Sequence, residues 1–184
     1  KRLVPAVDRE LADAQGRRER RKTEETLRQN ERWKERQKLL NNAVLQLFWN
    51  VSSKTEYLKK ALELIYTWSG CEAAGIRIVE DENHSIPYVE SRGFDCEFLQ
   101  KESLLLLGKD QCACTRVILN SLEPQDQTAV TSKGSFYLCD SLEFTGKLSQ
   151  EQLARFRGVC IQSGFKTIAI IPIRHDKTTL GAIH

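Results

Sequence analysis

Cysteine offers the most chemistry in this sequence, and four of the six cysteines fall between residues 112 and 160, as Cys112, Cys114, Cys139 and Cys160. Thiolates bind zinc and react with oxidants. Structural zinc sites are usually built from Cys-x-x-Cys pairs or from cysteine with histidine, and neither pattern supports a site here. Cys112 and Cys114 would share a face only in an extended segment, because on a helix they point in nearly opposite directions. We therefore predict no metal site, and the competing interpretation of these cysteines is as small buried hydrophobic residues.

Motifs of known catalytic chemistry are missing from the sequence. It contains no Gly-rich phosphate loop, no His-Glu-x-x-His, no Gly-x-Ser-x-Gly and only three histidines. His84 lies in a polar turn and His175 at the end of a predicted hairpin, so neither is expected to be a ligand. We predict that this chain has no enzymatic activity of its own.

Composition and charge further limit the set of possible functions. A hydrophobic fraction of 40% predicts a folded protein, and 28 basic residues interspersed with 25 acidic ones give a net charge of only +3. That mixed pattern argues against nucleic-acid binding. The longest aliphatic runs, at 104–107 and 168–171, are far too short for membrane insertion, and the N-terminus lacks a signal peptide. We expect a cytoplasmic protein with reduced cysteines.

The N-terminal segment is dominated by charge, and residues 8–38 are predicted to form a solvated helix. Val4, Val7, Leu11 and Ala14 follow the alternating three-and-four spacing of a coiled coil. That seam weakens after Gly16, which could also interrupt the helix. A single exposed helix or linker is the alternative interpretation.

Two amphipathic helices follow the charged segment. The first has Leu40, Ala43, Val44 and Leu47 on one face. The second is expected to begin after Ser53, which forms a capping-box pattern with Glu56, and to end near Gly70.

Beyond Gly70 the hydrophobic pattern changes from helical to strand-like periodicity. Strands are predicted at 73–79, 86–91, 135–139, 167–174 and 179–184, with short helices near 96–107 and 114–120. A further helix is predicted between Ser149 and Gly164, with Leu153, Phe156 and Cys160 on one face. Trp49, Trp68, Phe136 and Phe156 are expected in the core. This order predicts an α+β fold with a largely antiparallel central sheet flanked by helices.

Several segments, in this order, resemble a GAF domain over residues 40–184. They are Cys71-Glu-Ala-Ala-Gly-Ile-Arg-Ile, Gly134-Ser-Phe, Gly164-Phe-Lys-Thr-Ile-Ala-Ile-Ile-Pro-Ile-Arg and Leu180-Gly-Ala-Ile-His. Cys112-Ala-Cys-Thr-Arg-Val-Ile is similar to a subset of GAF domains in bacterial sensor histidine kinases. The resemblance implies a small-molecule sensor of a two-component signalling protein, whose parent is a histidine kinase. The last strand of the resemblance is expected to be truncated at His184.

The GAF resemblance implies a ligand pocket between the sheet and its covering helices. The residues that it would gather there are Cys112, Cys114, Val117, Phe136, Cys139, Cys160 and Ile170. The ligand is an unidentified small molecule or a redox event, and haem is a candidate because a thiolate can be its axial ligand. Cyclic nucleotides and bilins are disfavoured, since their characteristic residues are absent and Thr115, not histidine, follows Cys114. A structural dimerisation or relay domain without a ligand is the alternative function.

The N-terminus carries a second resemblance. Arg2-Leu-Val-Pro-Ala-Val-Asp-Arg-Glu-Leu is similar to the last helix of a response-regulator receiver domain, which implies a hybrid parent protein. We therefore divide the chain into a signalling helix at 1–39, with a receiver-like tail at 1–14, and a sensor domain at 40–184. A parallel homodimer is predicted, with an interface formed by Val4, Val7, Leu11, Leu40, Val44 and Leu47.

Overall fold

The computed structural model describes residues 3–49 and 53–184 of the chain. It divides into two compact units, one on each side of the junction between residues 50 and 51. The first unit consists of a single helix and the second of an α+β domain.

Helix α1 spans Leu3–Trp49 without interruption. It passes through Gly16 because this glycine faces open space and the flanking residues are strong helix formers. The helix also continues across the predicted domain boundary at residue 39, since no breaker separates the charged segment from the apolar face that follows. Trp49 is 85% exposed on this unit, so the prediction that it lies in the core is wrong for a single chain. The side chains of Val4, Val7 and Leu11 lie outside the described residues.

Helix α2 spans Lys54–Ser69 and has the ends predicted from its sequence. The Ser53 side chain accepts a hydrogen bond from the backbone N–H of Glu56, at 3.2 Å. Gly70 closes the helix with φ +66°, a left-handed conformation that glycine adopts without strain.

The central sheet contains five antiparallel strands in the spatial order β2-β1-β5-β4-β3. The strands are β1 (Ala74–Ile78), β2 (Tyr88–Arg92), β3 (Phe136–Leu138), β4 (Ile168–His175) and β5 (Thr178–Ile183). Each lies within a few residues of its predicted position. The predicted α+β fold with an antiparallel sheet is confirmed.

Short helices connect the strands, namely α3 (Cys96–Glu102), α4 (Ala113–Leu119), α5 (Ser141–Gly146), α6 (Gln150–Leu153) and α7 (Val159–Gln162), together with a 3-10 turn at Pro124–Asp126. The single helix predicted between Ser149 and Gly164 is wrong: it is split into α6 and α7. Gly158 at φ +72° lies between them, and a right-handed helix cannot continue through that conformation. Helix α5 was not predicted.

The two faces of the sheet carry separate hydrophobic clusters. On the outer face, α2 packs on β1 and β2 through a cluster that includes Leu62, Ala74 and Ile76. On the inner face, α4 packs on β4 and β5 over the larger cluster, which includes Phe136 and Ile170. Within the described residues, no helix combines the length and apolar character that crossing a membrane requires.

Candidate functional site

The inner face of the sheet buries an arginine at its centre. Side chains alternate along β1, so Arg77 points inward between Ile76 and Ile78, which point to the outer face. Arg77 has no exposed surface, and its guanidinium donates to the carbonyls of Ile86 at 2.7 Å and Glu102 at 2.5 Å. Its Nη2 lies 3.5 Å from the Glu102 carboxylate. Arg77 thereby holds the segment between β2 and α4 against the sheet.

A chain of three side chains lies beside Arg77. The hydroxyl of Tyr88 is 2.5 Å from Nδ1 of His184, and Nε2 of His184 is 3.7 Å from Sγ of Cys160. The guanidinium carbon of Arg77 lies 3.6 Å from the centre of the Tyr88 ring. These three side chains therefore link β2, the residue that follows β5, and α7 through polar atoms.

Burial keeps this chain uncharged at neutral pH. Desolvation, with a smaller effect from the Arg77 charge, lowers the pKa of His184 to about 3. Desolvation likewise raises the pKa values of Tyr88 and Cys160. The neutral imidazole has one N–H donor and one acceptor nitrogen, so it can hydrogen-bond the tyrosine with one nitrogen and contact the thiol with the other.

Cys112 and Cys114 form a second reactive group at the start of α4. Cys112 is the N-cap residue, with extended φ −150° and ψ 154°, and only Cys114 lies within the helix. Both thiols are buried within the inner cluster. Interaction with the Cys114 thiol lowers the pKa of Cys112 to about 7, whereas interaction with Cys112 and burial together raise the pKa of Cys114. Cys112 is consequently the thiol suited to nucleophilic chemistry at neutral pH.

Buried ion pairs anchor α4 and the segment before α7. Arg116 donates to both carboxylate oxygens of Asp126, at 2.6 and 2.8 Å, and to the carbonyl of Arg155. Arg157 pairs with Glu102 at 3.0 Å and with Asp110 at 3.1 Å. Bidentate charge-assisted hydrogen bonds strongly restrict the relative orientation of the two side chains. The segments that carry the buried thiols are therefore held in place.

Six of the seven predicted pocket residues lie in the inner cluster, namely Cys112, Cys114, Val117, Phe136, Cys160 and Ile170. Cys139 does not, because it follows the end of β3 and is exposed. As the strand alternation predicts, Phe136 faces inward and Tyr137 outward. The role of these residues in ligand binding stays a prediction.

The sequence did not indicate Arg77, Tyr88, Glu102 or His184 as site residues. Arg77 lies between two isoleucines, and that alternation is an available signal for an inward position once the outer cluster is known. The arrangement of Cys112 and Cys114 was also missed. Cys112 belongs to the extended cap rather than to the helix, so the opposed directions expected for two residues on a helix do not apply to this pair.

A groove of about 540 Å³ opens at one end of the sheet, and its lining includes His184 together with Phe165 and Ile168 of the inner cluster. Its lining is mainly apolar and includes Ile65, Cys71, Phe94, Lys166, Ile171 and Ile183. The rest of the inner face is filled by aromatic and aliphatic side chains of the cluster. Within residues 3–49 and 53–184, no three His, Cys, Asp or Glu side chains are arranged to hold a metal ion.

Comparisons with known proteins identify the fold. No protein-family profile matches the chain, and no curated protein is detectably similar in sequence. Solved structures do match. The GAF domain of an Acinetobacter phosphoenolpyruvate-protein phosphotransferase has a TM-score of 0.54 at 13% identity, covering 78% of this chain and 72% of that one. The A. aeolicus NLH2 GAF domain has a TM-score of 0.53 at 18% identity, covering 82% and 78%.

A third neighbour is an enzyme. Free methionine-R-sulfoxide reductase from Neisseria meningitidis, solved with its substrate, has a TM-score of 0.55 at 9% identity, covering 80% of this chain and 70% of that one. At these identities the similarity defines the architecture alone. The α+β domain of this chain has a GAF-like fold.

Proposed function

We propose that this chain is the regulatory sensor module of a cytoplasmic two-component signalling protein whose parent is a hybrid histidine kinase. The observation that carries the proposal is the buried polar group on the inner face, formed by Arg77, Tyr88, His184 and Cys160 with the thiol pair of α4. Burying such groups opposes folding, and perturbed titratable residues concentrate at functional sites. The input is a small ligand or a redox event at this inner-face site.

Helix α1 is proposed to carry the signal. It is long and highly charged, and its seam of Leu40, Val44 and Leu47 is only partly buried within its own unit. An isolated charged helix gains little stability by itself, whereas a parallel second copy would cover this seam. A change in the packing of two such helices is the output of the module.

The oligomeric state tests this part of the proposal. Sedimentation equilibrium at tens of micromolar should show a dimer, and Val44→Asp should shift it to monomer. Leu45→Asp is the matched control, because Leu45 is 56% exposed and lies beside the seam rather than in it. A wild-type monomer, or equal effects of the two substitutions, would overturn the proposed dimer.

A structural relay without any input is the second candidate. It is favoured by the filled inner face, since a ligand sensor usually has a cavity with a few convergent polar groups. Absorption spectra and native mass spectra of the purified chain, before and after adding haem or a mild oxidant, distinguish the two. A haem band, a retained ligand mass or a defined oxidised species supports the sensor; no change in any of them supports the relay.

The module is proposed to regulate and not to catalyse. The neighbour from N. meningitidis shows that a similar fold can host an enzyme that acts on free methionine sulfoxide. An assay of this chain with methionine sulfoxide and a dithiol reductant is therefore the relevant check. We expect no turnover above the buffer rate, and sustained turnover abolished by Cys112→Ser would replace the regulatory proposal with an enzymatic one.

A further inference from the structure

The groove at the end of the sheet has the size and the lining of a small-molecule site. It lies where β1 and β4 begin and β5 ends, and its lining takes residues from both the outer and the inner cluster. Its volume of about 540 Å³ is within the range of about 300–1,000 Å³ that is usual for ligand pockets. A small organic molecule would therefore fit.

Aliphatic side chains form the outer wall of the groove. Ile171 and Ile183 are paired across β4 and β5, and Ile65 of α2 lines the groove with them. Ile171 is 45% exposed, because α2 packs on β1 and β2 and leaves this part of β4 open. Removing such apolar surface from water is favourable, so this wall favours a hydrocarbon group.

Aromatic side chains form the inner wall. His184 lies in this wall, and both of its ring nitrogens are already engaged, Nδ1 with the Tyr88 hydroxyl and Nε2 with the Cys160 thiol. It therefore offers carbon atoms to a ligand rather than a hydrogen-bonding nitrogen. The Phe94 ring centre lies 5.8 Å from that of His184 and 5.8 Å from that of Phe165, so the inner wall is also largely apolar.

The charges near the groove favour an anionic ligand. Lys166 lies in the lining with 72% of its side chain exposed, and its Nζ is 3.4 Å from the Asp140 carboxylate. This distance is longer than the roughly 2.7–2.9 Å of a tight charge-assisted hydrogen bond, so the ammonium can turn towards a ligand. The buried guanidinium of Arg77 adds positive charge at the inner wall, where it acts, after desolvation, to lower the pKa of His184. Glu72 is an exposed acidic residue of the lining and would instead favour a cation, which makes a cationic probe the necessary control.

We propose that this groove binds an apolar monocarboxylic acid, with its hydrocarbon chain along Ile171 and Ile183 and its carboxylate at Lys166. This inference rests on the proposed sensor function and names the class of its ligand. The bound chain would contact His184 and so reach the buried polar group of the inner face.

Protection of a cysteine tests the site, because Cys71 lines the groove and is partly buried. The purified protein would be alkylated with iodoacetamide, with and without millimolar decanoate, and each cysteine followed on its own tryptic peptide. We expect decanoate to slow the alkylation of Cys71 at least about fivefold. Cys96 and Cys139 are exposed and lie outside the lining, so their rates should stay the same. An unprotected Cys71, or equal slowing of all three cysteines, would overturn the proposal.

Two further probes test the carboxylate. Decanol has the same chain with a neutral head group, and decylamine has a cationic one. Each should protect Cys71 at least about threefold less than decanoate at the same concentration. Equal protection by decanol would remove the role of Lys166, and stronger protection by decylamine would show that Glu72 selects the ligand, so either result contradicts the assigned class.

Matched variants test the placement of the ligand. Ile171→Asp should weaken the protection of Cys71 about tenfold, whereas Leu180→Asp, which is 43% exposed on the neighbouring strand and outside the lining, should not. Lys166→Gln should weaken it about threefold, and Lys147→Gln, whose side chain is also 72% exposed, should leave it unchanged. Equal effects within both pairs would refute the placement. Protection of Cys71 without any change of hydrogen exchange in α2 would remove the sensor function and leave the ligand site standing.

Discussion

Replacing Arg77 by methionine tests whether the buried arginine holds the inner face together. The substitution removes the donors to the carbonyls of Ile86 and Glu102 and the pairing with the Glu102 carboxylate, all in a site without solvent exposure. Each buried acceptor left without a partner costs about 1–3 kcal/mol, and breaking a buried ion pair costs about 3–5 kcal/mol. Arg157 still pairs with Glu102 and limits the loss, so we expect Arg77→Met to lower the free energy of unfolding by about 4 kcal/mol.

Urea unfolding measures this decrease in the free energy of unfolding. Trp68 fluorescence in a Trp33→Phe, Trp49→Phe background reports on the α+β domain alone, because these are the three tryptophans of the chain. Arg92→Met is the matched control on the neighbouring strand, where the arginine side chain is 51% exposed and pairs with Glu63 at the surface. The control should lose less than about 1 kcal/mol. Equal losses in Arg77→Met and Arg92→Met would refute the role assigned to Arg77.

Three further outcomes follow from the packing and the pKa values. Gly181→Ala should destabilise the domain by about 2 kcal/mol or more in the same assay, because a Cβ there collides with the Arg77 carbonyl on β1. Gly16→Ala faces open space and should instead stabilise α1 by about 1 kcal/mol, measured as a higher thermal midpoint of helical circular dichroism. The pKa of His184 is about 3 in the folded protein against an ordinary 6.5. Its contribution to the free energy of unfolding is therefore complete above pH 6.5 and decreases as the pH falls, by about 2 kcal/mol at pH 5. His184→Gln should abolish that part of the pH dependence between pH 7 and 5, and an unchanged slope would contradict the assignment.

Local sequence signals predicted helix α2 well because they specify both of its ends. Ser53, Glu56 and Gly70 define α2 through contacts within a few residues, so pattern and structure agree there. Gly158 shows the limit, because nothing nearby distinguishes a glycine tolerated in a helix, such as Gly16, from one at positive φ. Tertiary packing determines which of these two conformations a glycine adopts.

The candidate site was predicted less well than the fold because its contacts are long-range. His184 contacts Tyr88 only after β2, β1 and β5 have paired, and no spacing along the chain encodes this contact or the one with Cys160. The cysteines of α4 were identified, but which of them belongs to the helix depends on the cap at Cys112. Cys139 lies outside the inner cluster because it directly follows the last inward position of a three-residue strand.

Hydrogen exchange in helices α1 and α2 tests most directly the central claim that the domain senses an input and relays it. Exchange in α2 and in the last turns of α1 would be measured before and after one equivalent of hydrogen peroxide, in wild type and in Cys112→Ser. We expect oxidation to change the protection of these helices in wild type and to leave the variant unaffected. Helices that exchange identically before and after treatment of the wild type, in a sample where mass spectrometry shows oxidised cysteine, would contradict the account.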